Sequence, residues 1–276
     1  MPSAAEQFLI DFHAAHAGVT SEAFGSLPVR FRDREFASSY EVLASAVPGG
    51  PMPLTVLDLG CGSGFLLELL AGRNQADLEL LGIDMSAAEL EVARRALGLR
   101  AVLVKAKGQA IPAADRGIDF ILSHLVLMLM DDVDIVMAEA ARVLRPGGTF
   151  AAVVGGATPA SIAFTTYVRI LERYRAQSPD SVVRLGDRRL RNEDGIRELF
   201  ATRFRDVSVE EIHVNRRLTP AGIWAWFTGM YDLHQFGEKE RAAIEREYLS
   251  TVAPHCDPAG TLDFPQAFRY IQAHAR

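Results

Sequence analysis

The stretch "VLDLGCGSG", residues 56–64, places three glycines in five positions directly behind an apolar run. Ordering glycine costs more backbone entropy than ordering any other residue, so this density needs a reason. A strand that ends in such a loop and opens a helix presents bare backbone N–H groups, and Gly60 and Gly62 let a ligand approach the chain. Asp84 points the same way. It ends the apolar segment "LGIDMS" about 20 residues after the loop, where an acidic side chain can accept hydrogen bonds from both hydroxyls of a ribose. Nicotinamide dinucleotides and S-adenosylmethionine both carry that ribose, so the glycine spacing has to separate them. A dinucleotide fingerprint requires G-x-G-x-x-G, and here Phe65 stands where the last glycine should be. The spacing rejects the dinucleotide.

These residues need a frame. From residue 54 the sequence alternates apolar runs ("LTVLDL", "LELLGID", "AVLVKA", "GIDFILS", "TFAAVVG") with helical stretches ("FLLELLAGR", "SAAELEVARRALGL", "DVDIVMAEAARVL"). Continuous apolar strands separated by helices predict a parallel sheet covered on both faces, with ligands at the carboxyl ends of the strands. Ser86 is the candidate N-cap of the second helix, Arg142 and Arg145 fall in the last turn of the third, and Pro146-Gly147 suits the centre of a type II turn. Before residue 48 the sequence reads as helices and turns, with Phe8, Leu9, Phe12 and His16 on one face and Ser38 or Ser39 as a cap near 38–47; "PGGPMP" then acts as a hinge. After residue 155 come helical candidates at 161–177, 193–202, 221–234 and 238–253. "FRDVSVEEIHV" reads as an exposed or edge strand and "FPQAFRYIQAHAR" as a final one.

With these motifs in order, residues 54–154 resemble the class I S-adenosylmethionine-dependent methyltransferases, in their small-molecule, type 11-like branch. "VLDLGCGSG" is similar to the family's first motif, "GIDMS" to its ribose-binding acidic motif and "RVLRPGG" to the turn before its fifth strand. The resemblance implies a doubly wound, Rossmann-like α/β fold, its seven-stranded sheet mostly parallel with one antiparallel strand, plus a helical cap. The expected division is an N-terminal helical lid (1–53), a cofactor-binding core (54–154), and the rest of the sheet with an inserted acceptor-binding cap (155–276). The resemblance also implies S-adenosylmethionine as cofactor. Asp58, Gly60, Cys61, Gly62 and Gly64 would cradle its methionine part, Asp84 would hold the ribose and Met85 would pack on the adenine. One position departs from the family. Where an acid usually meets the adenine amino group this chain has Lys107, and a lysine cannot accept that hydrogen bond. The contact then moves to Gln109 or to backbone near Gly108, or adenine is held by backbone and packing alone.

In methyl transfer the cofactor brings the reactivity and the protein mostly aligns, with a general base needed only for an acceptor that arrives protonated. "ILSHLVLMLM" puts Ser123 and His124 beside the expected methyl group: Ser123 as a cofactor contact, and His124 as first candidate for base or orienting group, since a free imidazole titrates near working pH. Tyr231 and His234 are reserve bases. Trp224, Trp226, Phe227 and Tyr231 read as a lid over the acceptor or as the core of the added helices, and Met128 and Met130 as pocket or core. His13 and His16 share a helix face but lack a third ligand, so no metal is expected; Cys61 needs only to be small, and no nucleophile is assigned. A net charge of −6 without a basic stripe argues against a nucleic-acid partner, as does the absence of an Asn/Asp-Pro-Pro-Tyr-like motif. Two cysteines make no disulfide framework, and no apolar run approaches the ~20 residues of a membrane span. The expectation is a cytoplasmic monomer or homodimer that methylates O, N or C of a small metabolite. The alternative is a protein that binds the same cofactor, or rearranges a ligand on it, without transfer.

Overall fold

The apolar runs that follow the hinge pair side by side. In the computed structural model, which describes residues 2–177 and 183–276, β3 (Leu54–Leu59) lies parallel between β4 (Leu78–Asp84) and β6 (Ile118–His124). β5 (Val102–Lys105) extends the sheet beyond β4, and β7 (Leu144–Gly155) beyond β6. The long final strand, β11 (Gln266–Ala275), runs antiparallel to β7, and β8 (Phe204–Val214) follows it; β9 (Arg217–Leu218) and β10 (Leu262–Asp263) pair in a separate two-stranded sheet. Leu57, Ile121, Phe150 and Ile271 are fully buried, as expected of strands covered on both faces. Helices α4 (Phe65–Ala71), α5 (Ala87–Leu97) and α6 (Val133–Val143) connect the strands. Ser86 caps α5 by accepting from Glu89 N. "RPGG" loops out of β7, with Gly147 at φ +77°: Leu144 pairs with Ile118 and Thr149 with Phe120 across a register shift.

The sheet has nine strands among the described residues, where the sequence predicts seven. The two additions are β1 (Val29–Phe31) and β2 (Arg34–Phe36), an antiparallel hairpin in a stretch that reads as helices and turns. Its two-residue loop, Arg32-Asp33, has both φ values positive (49° and 57°), the turn geometry that suits the twist of paired strands. "VRF" does alternate, with Val29 and Phe31 buried and Arg30 exposed, but three residues are too few to stand out as a strand. The hairpin is fixed from outside itself. Arg32 Nε donates to Glu210 Oε2 on β8 at 2.8 Å, and Phe31 packs on Tyr270 of β11. β8 is therefore not an edge strand.

The chain divides into two compact units, neither coinciding with the expected 1–53, 54–154 and 155–276 segments. One comprises Met1–Gly156, Leu185–Ile212 and Phe268–Arg276, so the N-terminal helices belong with the sheet; the other comprises Ala157–Arg184 and His213–Ala267. In the first, α1 (Ala4–Ala15) opens with a capping box from Ser3 and Glu6 and buries Ala5, Leu9 and Phe12. α2 (Val19–Phe24) and α3 (Ser39–Ala44) follow; Ser38, not Ser39, caps α3. In the second unit, α7 (Ile162–Gln177), α9 (Pro220–Phe227), α10 (Tyr231–His234) and α11 (Glu238–Val252) surround an aromatic core. Tyr167 stacks on Phe227 at 3.6 Å, and Trp224 and Phe264 are buried beside them. Trp224 and Phe227 are thus core residues rather than a lid. Between the segments of the first unit, α8 (Glu193–Ala201) packs Ile196, Leu199 and Phe200 onto the sheet.

Candidate active site

The parallel pairing of β3 with β4 brings the glycine loop and Asp84 to the same sheet end. Gly60 N and Cys61 N both donate to Ile83 O at 2.9 Å, and Gly62 N donates to Asp84 Oδ2 at 2.9 Å. Asp84 Oδ1 accepts from Ser86 N at 2.8 Å. Each carboxylate oxygen keeps a second lone pair, so Asp84 can brace the loop and still receive two hydroxyls.

The three loop glycines are bare for different reasons. All have positive φ (77°, 48° and 85°), but a Cβ on Gly60 would meet Val126 Cγ1 at 2.4 Å and one on Gly64 would meet Leu97 Cδ1 at 2.8 Å. A Cβ on Gly62 would meet nothing closer than Glu89 Oε2 at 3.8 Å. Two glycines therefore admit neighbouring protein, and only Gly62 leaves open space. Gly60→Ala is expected to cost more than about 2 kcal/mol, combining left-handed strain with overpacking, while Gly62→Ala costs about 1 kcal/mol from strain alone. Urea midpoints of the two variants would show it, and equal losses would contradict the packing role of Gly60.

The loop floor is rich in carboxylates. Asp58 is 2% exposed, and burial, followed by the negative charge of Asp84, pushes its carboxyl up to about 8. Asp84 is also raised, by burial first, against the two N–H bonds that favour its charge. Glu89, buried at the start of α5, accepts Gly18 N at 3.1 Å on both oxygens and meets His13 Nδ1 at 2.6 Å. Burial likewise drives the Cys61 thiol well above its usual range, which removes it as a nucleophile. A buried carboxyl without a counter-charge suits a cationic ligand.

Farther along the strand ends, Lys107 Nζ donates to Glu6 Oε2 at 2.6 Å, fastening α1 to the core. Burial is the largest single influence and works against the Glu6 charge, but the Lys107 bond, the Ser3 N–H bond and the Lys107 charge together hold the carboxyl below its ordinary range. Gln109 Nε2 donates to Asp131 O at 2.6 Å, which commits its amide nitrogen. Gly108 packs against Met130, Val136 and Leu59, and Met85 lies half-buried after Asp84. Met128 and Met130 pack on the sheet core.

At the end of β6, Ser123 is fully buried and its Oγ donates to Leu59 O at 3.1 Å, so this hydroxyl ties strands together and is not free for a cofactor. His124 Nε2 meets Ser39 Oγ at 2.8 Å, and its ring stacks on Tyr40 with centroids 3.5 Å apart. Nδ1 is buried with no partner among the described residues. The sequence places this imidazole near working pH, but burial pulls it down to about 3. His124 is therefore neutral at pH 7 and too weak a base for that pH. Its ring resonances in an NMR titration should stay fixed from pH 5 to 8; a midpoint inside that window would overturn the assignment. Ser39 and Tyr40 carried no sequence signal beyond a helix start. Among the reserve bases, His234 Nε2 meets Thr228 O at 2.8 Å and its Nδ1 faces Arg241 at 3.4 Å, both within the second unit, where Tyr231 opens α10. His13 pairs with Glu89, and among the described residues no group of three or more His, Cys, Asp and Glu could hold a metal.

The model of the methyltransferase domain family matches residues 57–152, which run from the glycine loop through Asp84 and His124 into β7. Residues 57–152 form a class I S-adenosylmethionine-dependent methyltransferase domain. S-adenosylmethionine is the cofactor of such a domain. The chain is 29% identical over 216 residues to the biotin biosynthesis bifunctional protein BioHC of Cellvibrio japonicus, covering 72% of this chain and 42% of that protein. It is 34% identical over 137 residues to a malonyl-[acyl-carrier protein] O-methyltransferase of Methylococcus capsulatus, covering 47% and 48%. The chain thus spans under half the length of these curated relatives. In fold it is similar to a phosphoethanolamine N-methyltransferase of Haemonchus contortus solved with S-adenosyl-L-methionine, with TM-score 0.58, 17% identity and coverage of 99% and 60%. In this chain the sheet order is β2-β1-β8-β11-β7-β6-β3-β4-β5, with the 29–36 hairpin at one edge. No helix among the described residues is long and apolar enough to cross a membrane.

Proposed function

We propose that this chain transfers the methyl group of S-adenosylmethionine to a small acceptor that reaches the site already nucleophilic. The observation that carries this reading is the buried, uncompensated Asp58 beneath a glycine loop that Asp84 braces through Gly62 N. A sulfonium and an α-ammonium match that carboxyl, and ribose hydroxyls match the spare lone pairs of Asp84, so the residues present fit the cofactor. Asp84 would hold the ribose, the Gly60–Gly64 loop and Asp58 the methionine part, and Met85, Gly108 and Gln109 the adenine side. When bound, the cofactor supplies an electrophilic methyl carbon open to in-line displacement.

This chain's own residues orient and exclude water. His124, fixed by Ser39 and Tyr40, is a buried neutral ring that cannot strip a proton from an acceptor at pH 7. A carboxylate, an unprotonated amine or an enolate needs no such step. The relatives named malonyl-[acyl-carrier protein] O-methyltransferases support the carboxylate within that set. The test is to incubate the protein with S-adenosylmethionine and a panel of small carboxylic acids, amines and phenols, then read S-adenosylhomocysteine by mass spectrometry. Turnover with carboxylates but not with alkylamines or phenols below pH 8 is expected. Cofactor that binds yet stays intact with every acceptor would favour the reading without transfer.

A further inference from the structure

The second unit holds a cleft of about 720 Å³ that no residue of the candidate active site lines. Ala160, Ile162, Leu262 and Pro265 give it an apolar wall, and Asn215, Arg216 and Arg217 a polar one. The two arginines differ sharply. Arg217 donates to Asp257 at 2.7 Å and meets Asp263 at 3.2 Å, so two carboxylates surround one guanidinium and the cluster is net negative. Arg216 has no carboxylate partner among the described residues. Its guanidinium lies over the rings of Trp226 and Phe264, 5.2 and 5.0 Å from their centroids; one N–H2 group donates to Gln266 Oε1 at 3.1 Å, and Nε is buried without a partner.

Half-burying a cation without a counter-charge is costly, and burial pulls this guanidinium down to about 10. It is still charged at pH 7, fixed in direction by two aromatic faces, and placed in the wall of a cavity large enough for a small organic ligand. We infer that this cleft is a binding site for a monocarboxylate with an apolar body, the carboxylate pairing with Arg216 and the body lying along Ile162, Leu262 and Pro265. A single charge is what the site can take. The Arg217–Asp257–Asp263 cluster repels a second negative charge, which disfavours phosphate dianions and dicarboxylates. The inference does not depend on methyl transfer, because the cleft is built wholly from the second unit and needs no cofactor.

The protein's two tryptophans both lie on α9, and Trp226 faces Arg216, so intrinsic fluorescence reports on the site. The full chain should be titrated with octanoate, methyl octanoate and inorganic phosphate, without S-adenosylmethionine. Saturable quenching by octanoate at least tenfold tighter than by its ester, with phosphate weaker still, is expected. Arg216→Gln should lose that tenfold preference while binding the ester as before, and Arg216→Lys should keep most of it. Equal affinity for acid and ester in the wild type would overturn the carboxylate assignment whether or not either variant folds. Phosphate binding tighter than octanoate would overturn the single-charge argument. An unchanged octanoate affinity in a folded Arg216→Gln would remove Arg216 from the site.

Discussion

Asp84→Ala is expected to weaken S-adenosylmethionine binding by at least about 100-fold. Two ribose hydroxyls would lose a charged acceptor, at about 1.5–3 kcal/mol for each bond, and about 1.4 kcal/mol corresponds to a factor of ten. The loop also loses its brace, because Gly62 N now donates to Asp84 Oδ2. The fold should survive. Asp84 is half-buried, so water can reach the N–H groups of Gly62 and Ser86, and removing its charge relieves Asp58. Calorimetric titration of wild type and variant, with NAD as control and a thermal melt of each, reads the outcome. Wild-type binding that collapses in a folded Asp84→Ala, with NAD inert, is the expected pattern. Undiminished binding in the variant would take the ribose role from Asp84, and NAD binding would refute the rejection drawn from Phe65.

The second large effect is on stability. Asp58→Asn is expected to stabilise the cofactor-free protein increasingly as pH rises from 5 to 8, while weakening S-adenosylmethionine binding. An unfolded-chain carboxyl titrates near 4 and the folded Asp58 near 8. Between these values the folded protein keeps a proton that the unfolded chain has released. Wild-type stability therefore falls as pH rises through the window, by about 1.4 kcal/mol per pH unit from this group alone. Carboxyls such as Glu139 and Asp187 are held below their ordinary range by Arg142 and Arg189, so they are already ionised and contribute no slope above pH 5. An asparagine has no proton to hold, so the gap between variant and wild type should grow by about 4 kcal/mol between pH 5 and pH 8. Urea denaturation of both proteins at pH 5, 6.5 and 8 measures it. A gap independent of pH would mean that Asp58 is already ionised in the folded state. A cationic ligand should lower the Asp58 carboxyl and release its proton, so binding enthalpy near pH 7 should depend on the ionisation heat of the buffer.

Both effects begin from residues visible in the sequence, and the limits of that visibility are physical. Asp58, the glycine loop, Asp84, the alternation of strands and helices, and the Ser86 cap depend on neighbours a few residues apart. Spacing alone conveys them, and spacing also separated this loop from a dinucleotide fingerprint. What the tertiary structure decided involves partners far apart in the chain. The 29–36 hairpin exists because Arg32 finds Glu210 and Phe31 finds Tyr270. Gly60 is bare because Val126 fills its space, and Lys107, which broke the family pattern, is matched by Glu6, 101 residues earlier in the chain. His124 illustrates the difference best. Its residue type suggested a base, but a charge state depends on burial, and burial by Tyr40 and Phe24 is a property of the assembled core that no local pattern encodes.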